Sequence, residues 1–197
     1  MSPAPEQVRL LSAAERHAVP WKNRGGVTSQ VAVHPQGAGL EDFDWRISCA
    51  QVNSTGPFSS FPGIDRIIVI LEGELSLAVE GREAVVLTPE SAPWAFPGDA
   101  LTSGGPLTDT VQDLNVMTRR GRCSARVQRC LVEERAQFAF QAATTVVLAS
   151  APLVLKAHGQ TLPLARLDAL RVEGALQCEF SSVVPGACFY RIEIQPA

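Results

Sequence analysis

The stretch IIVILEGELSLAVEG, residues 67–81, decides the fold class. Apolar side chains alternate with other residues on both sides of the pair Glu72-Gly73, and Gly81 closes the stretch. Alternation with a period of two is typical of a β-strand that is half buried. The stretch therefore predicts two strands joined by a Glu-Gly turn.

The same period recurs elsewhere in the chain, in WRISCAQV (45–52) and in CFYRIEI (188–194). Proline and glycine clusters separate these segments, as in TPESAPWAFPGD and VVPGA, and such clusters mark turns. Only residues 8–16 and 133–140 have patterns that fit short helices. Many short strands with Pro/Gly turns predict an all-β protein, built as a sandwich, jelly roll or barrel.

An internal sequence similarity, which we call the echo, suggests a duplication. Residues 69–91 can be laid over residues 147–169 with a constant shift of 78, which places Val69 on Val147, two leucines on leucines and a glycine on a glycine. In both copies a strand leads through a Gly turn to a second strand. The echo predicts two similar β units in tandem, over residues 1–121 and 122–197.

Composition excludes several classes of function. The 197 residues carry a formal net charge of −3 with 46% apolar residues, so a sizeable core is expected and an electrostatic footprint for nucleic acid is not. The basic run Arg119, Arg120 and Arg122 fits a solvated turn better than a phosphate site. No apolar run reaches membrane-spanning length. Five scattered cysteines fit buried fillers in a reducing compartment, so a cytoplasmic protein is expected.

Motifs for metal, cofactor and nucleophilic chemistry are missing from the sequence. The three histidines, His17, His34 and His158, lack the spacing of metal ligands. There is no G-x-S-x-G, C-x-x-C, Walker or G-x-G-x-x-G motif, and the Gly25-Gly26 turn is not followed by a helical pattern. We therefore expect neither a metal centre nor a cofactor.

Five motifs stand in order along the chain: PWKNRGGVTSQ (20–30), LEDFDWRISCAQV (40–52), GPFSSFPGIDR (56–66), FPGD (96–99) and DLNVMTRRG (113–121). In order and spacing, they resemble the motifs of the HutD/Ves-like family of accessory proteins in bacterial histidine utilisation. Two residues depart from the usual family pattern: Arg24 stands where glycine is usual, and Leu114 where phenylalanine is usual.

The resemblance implies a fold and a function. Members of this family are bicupins, with two double-stranded β-helix barrels in one chain, no metal, and a small-molecule site in the first barrel. The family is thought to tune histidine degradation by binding an anionic intermediate, such as N-formylglutamate or urocanate, rather than by catalysis. A small anionic metabolite is thus the expected partner, with neither nucleic acid nor membrane.

Two arginines are candidates for holding that anion. Counting back from Gly73 along the first motif of metal cupins places Arg66 where those proteins have a glutamate ligand, and Phe61 and Ser59 at the histidine positions. A cation at the ligand position would hold a carboxylate directly. Arg46 and Ser48 share a strand face opposite Trp45, and face either solvent or the barrel lumen. Two inward arginines would suit a dicarboxylate.

Further candidates are polar or aromatic. Asn115 has donors and an acceptor for a formyl or amide group, and it shares a face with Asp113; alternatively Asp113 pairs with an arginine and Asn115 caps a turn. Trp21, Lys22 and Asn23 precede two glycines and suit a loop over the barrel mouth, although core, solvent and turn roles also fit. The predicted ligand-binding set is Trp21, Lys22, Asn23, Arg46, Ser48, Phe61, Arg66 and Asn115.

Three functions fit these residues. The leading one is a metal-free binding protein of histidine catabolism. The second is a metal-free enzyme, an isomerase, lyase or hydrolase acting on a small carboxylate, in which Lys22 or Asp113 is a base with a shifted pKa. The third is an interaction module with a vestigial pocket. The second barrel is expected to be filled by side chains and mainly structural, and both a monomer and a homodimer fit the sequence.

Overall fold

The computed structural model describes residues 7–21 and 24–197, and this part of the chain is all-β, as predicted. Its helical content is one 3-10 turn, Ala13–Glu15. The first eleven strands are β1 (Val8–Leu11), β2 (Ala18–Pro20), β3 (Gly26–His34), β4 (Trp45–Val52), β5 (Gly56–Pro57), β6 (Ile64–Glu72), β7 (Leu75–Val79), β8 (Val85–Leu87), β9 (Trp94–Pro97), β10 (Thr102–Pro106) and β11 (Val111–Arg119). The remaining strands are β12 (Cys123–Leu131), β13 (Arg135–Phe140), β14 (Thr144–Ala149), β15 (Leu153–Ala157), β16 (Gln160–Leu164), β17 (Ala169–Glu173), β18 (Leu176–Ser181) and β19 (Cys188–Pro196).

The chain divides into two compact units. The first unit comprises Arg16–Ser124 with Ala197, and the second comprises Ala125–Pro196 with the described residues up to Glu15. These bounds differ from the predicted 1–121 and 122–197, chiefly at the N-terminus. The reason is that β1 pairs antiparallel with β17, which carries the beginning of the chain into the second unit.

Each unit contains two sheets, and the order of the strands is repeated. The sheets of the first unit run β2-β3-β4-β11-β6-β9 and β5-β10-β7-β8, and those of the second run β1-β17-β14-β19-β12 and β13-β18-β15-β16. The run β4-β11-β6-β9 thus corresponds to β12-β19-β14-β17, and β5-β10-β7-β8 to β13-β18-β15-β16. The two tandem units that the echo predicted therefore share one order of strands.

The register of the echo holds in one part and fails in another. Leu75 and Leu153 occupy equivalent positions at the start of β7 and β15, and both belong to the core of their unit. Val69 and Val147 are not equivalent: Val147 belongs to its core, whereas Val69 lies between the core residues Ile68 and Ile70 and faces away. The match at valine was wrong because a shift of one residue moves a strand's side chains to the other face.

The Glu72-Gly73 turn joins two strands, as predicted, but these strands belong to different sheets. β6 ends at Glu72 in the six-stranded sheet, and β7 begins at Leu75 in the four-stranded one. Gly73 has a φ of 79°, and a Cβ there would overlap the carbonyl oxygen of Thr110. Glycine is required here because the chain crosses between sheets against another backbone segment.

The two predicted helices are wrong. Residues 8–11 form β1 and are followed by the 3-10 turn, while most of 133–140 is β13. β13 pairs with β18 and buries Phe140 in the core of the second unit. Pairing with neighbouring strands overrides the weak helical pattern.

Apolar side chains fill the space between the sheets of each unit. In the second unit the rings of Phe138, Phe180 and Phe189 pack together, with centroids 4.4 Å apart for Phe180 and Phe189. All five cysteines are free and buried, as expected of fillers. No helix in residues 7–21 and 24–197 is long and apolar enough to cross a membrane. The core cluster of the first unit comprises Val52, Ile68, Ile70, Leu75, Leu77, Val79, Leu87, Phe96 and Val111.

Candidate functional site

A band of polar side chains crosses the inner face of the six-stranded sheet in the first unit. Strand side chains alternate between faces, so residues an even number of positions from the core residues Val52, Ile68 and Val111 share their face and point between the two sheets. Such positions are expected to be apolar, and five of them are polar or charged. These residues, which we call the polar layer, are Arg46, Ser48, Arg66, Asp113 and Asn115.

Strand register places the polar layer in three successive rows. Met117 on β11 pairs with Arg46 on one side and Arg66 on the other. The next row joins Asn115 to Ser48, and the third has Asp113 opposite an alanine and an isoleucine. Neighbouring rows are about 7 Å apart and neighbouring strands about 4.8 Å apart. The polar layer is therefore about as large as a small metabolite.

Arg66 is a buried cation surrounded by aromatic rings. It is 6% exposed, and its guanidinium carbon lies 5.4, 5.7 and 4.9 Å from the ring centroids of Phe58, Phe61 and Phe96. Its Nε has no hydrogen-bond partner among the described residues. Burial lowers the pKa of Arg66 to about 10, with Asp113 opposing this shift and Arg46 adding to it. The rings hold the cation in place, and its Nε–H is left for another acceptor.

Arg46 is held by side chains of its own sheet. Its Nε donates to Oε1 of Gln30 over 3.1 Å, and its Nη1 donates to Oγ of Ser48 over 3.3 Å. Burial lowers the pKa of Arg46 as well. Two arginines in one row repel each other, so an anion between them would be stabilised by both.

Asp113 and Asn115 each contribute one buried acceptor atom that has no donor among the described residues. Asp113 is 2% exposed and Asn115 is 8% exposed, and Oδ1 of each has no hydrogen-bond partner within the described ranges. Burial raises the pKa of Asp113 to about 7, opposed by the charge of Arg66 and by a hydrogen bond with the backbone of Ala50. A buried acceptor without a donor is costly, at about 1–3 kcal/mol. A ligand that supplies donors would remove this cost.

The aromatic members of the predicted set lie at the edges of the polar layer. Trp21 is half buried, packs against the core of the first unit, and donates from Nε1 to Oγ1 of Thr28 over 2.7 Å. Phe61 lies beside Arg66 and packs against a separate apolar cluster that contains Met117. Lys22 and Asn23 lie outside the described residues.

Trp45 and Ile47 do not pack between the sheets of the first unit. They lie on the opposite face of β4 from Arg46, and they are only 4% and 0% exposed. Both faces of β4 are therefore buried, which explains why alternation along this strand did not show which face is inner.

The arginine run at the end of β11 lies in a partly exposed turn, as expected, and its side chains bind neighbouring carbonyl and carboxylate groups. Arg119 donates to the carbonyl oxygens of Glu41 and Phe43, and Nη1 of Arg122 donates to Asp44. Arg120 binds both oxygens of Asp99 at 2.8 Å and reaches Asp65 at 2.7 Å. Hydrogen bonds from Arg120 hold the pKa of Asp99 well below its usual range. Asp99 is thus an ion-pair residue as well as a turn residue.

No group of three or more His, Cys, Asp or Glu residues able to hold a metal is present in the described part of the chain.

A cleft elsewhere in the first unit is less suited to an anion than the polar layer. A cleft of about 120 Å³ lies largely on the face opposite the polar layer, and its lining carries no charged side chain. Its lining residues are Ala18, Val27, Ser29, Cys49, Ala50, Gln51 and Gln112.

Sequence reasoning left out two residues of the site. Phe96 contacts Arg66, and Gln30 orients Arg46. Phe96 pairs with Arg66 across β9 and β6, a register that the sequence does not reveal. Asp113 was considered from its position beside Asn115, but nothing in the sequence showed that its carboxyl would be fully buried.

The HutD family model matches residues 13–189, which is most of the chain. The chain belongs to the HutD family. The resemblance that the sequence motifs carried is thereby confirmed. The matched range contains every residue of the polar layer and both compact units nearly in full.

Individual relatives agree with this assignment. An uncharacterised 21.2 kDa protein in the hutC 3′ region of Pseudomonas putida is 35% identical over 85% of this chain and 88% of its own length. Protein Ves of Citrobacter koseri is 38% identical over 55% of this chain and 56% of its own length. The structure of HutD from Pseudomonas fluorescens SBW25 superposes with a TM-score of 0.80 at 32% identity, covering 96% of this chain and 99% of that one.

Proposed function

We propose that this member of the HutD family is a metal-free binding protein associated with histidine utilisation. Its ligand is an anionic pathway intermediate such as N-formylglutamate or urocanate, bound at the polar layer of the first unit. Support comes from the family and from the P. putida relative in the hutC 3′ region. The observation that carries the proposal is Arg66, a buried guanidinium with an unused donor.

The chemistry of the polar layer suits a carboxylate. A charge-assisted hydrogen bond from a buried arginine contributes on the order of 1.5–3 kcal/mol. In this proposal Arg66 and Arg46 bind the carboxylate groups, while Ser48 and Asn115 orient the rest of the ligand. Trp21 and Phe61 supply flat apolar walls.

The fold proposed with this function is a bicupin. The repeated strand order of the two units supports two double-stranded β-helix barrels in one chain. The first barrel holds the ligand. In the second, phenylalanine rings occupy the space between the sheets, which supports a mainly structural role.

Titration calorimetry tests the proposed function. N-formylglutamate, glutamate and urocanate are titrated into the purified full chain, and a dissociation constant below 1 mM is expected for at least one of them. Arg66→Gln should abolish this binding, whereas Arg126→Gln, at an exposed position in the second unit, should leave it unchanged. Absence of heat and of a thermal shift at millimolar concentrations of all three ligands would overturn the proposal.

One observation favours catalysis as a second candidate function. Burial raises the pKa of Asp113 to about 7, which is where a general base is most effective. A metal-free isomerase, lyase or hydrolase acting on a small carboxylate would use this group. Incubation with pathway intermediates, followed by mass spectrometry, distinguishes the two: turnover that Asp113→Asn abolishes would show an enzyme, and unchanged intermediates would show a binding protein.

A further inference from the structure

We propose that Asp113 determines the specificity of this site by accepting a hydrogen bond from a ligand N–H group. The preferred ligand then carries two features, a carboxylate for the arginines and an amide or imidazole N–H for Asp113. This inference rests on the proposed function and narrows its ligand class, because carboxylates without an N–H group are predicted to bind weakly.

The polar layer contains both a donor and acceptors that lack hydrogen-bond partners among the described residues. Arg66 offers a donor at Nε, while Asp113 and Asn115 each offer an acceptor at Oδ1, and none of the three atoms has a partner in the described part of the chain. The acceptors lie in neighbouring rows of β11, and Arg66 lies in the row beyond Asn115. A complementary ligand therefore has an acceptor at one end and a donor about one or two rows away.

Asp113 selects for a ligand donor more strictly than Asn115, because an ionised carboxylate can only accept hydrogen bonds. The amide of Asn115 can turn and present its NH₂ group instead, whereas an ionised carboxylate has acceptors only. The exposed fraction of Asp113 is 2%, so bulk water does not supply the missing donor. A ligand with carboxylates alone would bind the arginines and still leave Asp113 unsatisfied beside a new negative charge.

The positive charge of Arg66 favours the ionised form of Asp113, so Asp113 can accept a ligand N–H group near neutral pH. Arg66 and Arg46 are the cationic members of the polar layer, and the charge of Arg66 opposes the rise in the pKa of Asp113. An N–H donor binds the ionised carboxylate, so the donor should be recognised most strongly above pH 7.

The experiment compares ligands that differ in the N–H group. One pair is urocanate and 3-(3-furyl)acrylate, in which a furan replaces the imidazole. The other is N-formyl-L-glutamate and its N-methyl derivative. Dissociation constants are measured at pH 8 by titration calorimetry with the full chain. The N–H member should bind at least about tenfold more tightly, which corresponds to one hydrogen bond with a charged acceptor.

Variants assign the preference to Asp113. Asp113→Leu should bring the ratio within each pair close to one, and Asp113→Asn, which keeps the shape and polarity of the side chain, should reduce it at least fivefold. Asp109→Asn, at an exposed position just before β11, is the matched control and should keep the ratio of the unmodified protein. Because each ratio compares two ligands on one variant, partial loss of folded protein does not change it.

The outcomes separate this inference from the proposed function. Equal binding within each pair would overturn the role of Asp113 and leave the binding function in place. A preference that persists in both Asp113 variants would equally overturn it. If no member of either pair binds to the unmodified protein, the proposed function fails, and this inference fails with it.

Discussion

Arg66 is the residue on which the proposed function depends, and its position opposes stability. Removing a cation from water is costly, and in the described part of the chain Nε of Arg66 finds no acceptor. Three phenylalanine rings compensate in part through cation–π contacts. A residue that costs folding energy in this way is typical of a binding site, since the ligand supplies the missing partner.

Replacing Arg66 with methionine should separate stability from binding. Methionine fits the aromatic surroundings without a charge. At pH 5, where Asp113 is protonated and does not need the charge of Arg66, the free energy of unfolding of Arg66→Met should rise by about 1–3 kcal/mol, while carboxylate binding is lost. Urea denaturation and calorimetry measure the two effects. Arg120→Met is the contrasting variant: Arg120 has two aspartate partners at the surface, so its loss should lower the free energy of unfolding by about 1 kcal/mol or less. Lower stability of Arg66→Met would show that the cation is required for the fold.

Asp113 makes stability depend on pH. Its pKa is about 7 in the folded protein, against 3.8 for the free side chain, so the native state binds more protons than the unfolded state between these values. The free energy of unfolding that Asp113 contributes therefore falls as pH rises from about 4 to 7.

Asp113→Asn should remove this dependence. The variant should gain at least about 1 kcal/mol relative to the unmodified protein when urea denaturation is repeated at pH 8 instead of pH 5. Asp109→Asn serves as the control at an exposed position. A relative stability of Asp113→Asn that stays the same at both pH values would contradict the burial that raises the pKa of this carboxyl.

The turn between β2 and β3 shows how one residue strains an element. Arg24 has a φ of 57°, in the left-handed region, and its N–H donates to the carbonyl oxygen of Trp21 over 3.0 Å. Glycine, which is usual at this position in the family pattern, adopts such a φ without steric cost. The arginine of this chain therefore strains the turn that carries Trp21 to the edge of the site.

Arg24→Gly should relieve this strain. The free energy of unfolding should rise by about 0.5–1 kcal/mol, since the steric cost of a left-handed residue exceeds the added chain entropy of glycine. Thermal and urea denaturation provide the measurement. Arg24→Ala removes the same charge and keeps the Cβ, so it should give no such gain. Equal stabilisation by both variants would mean that charge, not backbone strain, is the cause.

At the scale of elements, the sequence predicted strands well and helices wrongly. The alternation at 45–52, 67–81 and 188–194 falls on strands in every case. The helices predicted at 8–16 and 133–140 are absent because short segments with weak patterns take the conformation that tertiary pairing offers them. The sequence also did not reveal that β6 and β7 belong to different sheets, since a turn leaves the same pattern in either arrangement.

The whole molecule repeats one topology with two different interiors. The first unit contains the polar layer between its sheets, whereas phenylalanine rings pack between the sheets of the second. The two units thus share a strand order and differ in the side chains at their inward positions. The second unit is consequently expected to contribute stability without contacting the ligand.

Phe180→Leu tests this division. Phe180 is fully buried among other phenylalanines, so its shortening should lower the free energy of unfolding by about 1–3 kcal/mol. The dissociation constant for urocanate, measured on folded protein, should change less than twofold. Phe58→Leu, beside Arg66 in the first unit, should weaken binding clearly. A tenfold loss of binding in Phe180→Leu would give the second unit a part in the site.

The sequence by itself determined the strand content, the duplication and the family, because periodicity and ordered motifs are local properties of the chain. It also pointed to Arg66, Arg46, Ser48 and Asn115 as a set. Only the tertiary structure decided which face of β4 is inner, that Oδ1 of Asp113 is buried without a donor, and that Phe96 contacts Arg66. These features depend on strand register and on the packing of one sheet against another. A period of two cannot specify them where both faces of a strand are buried.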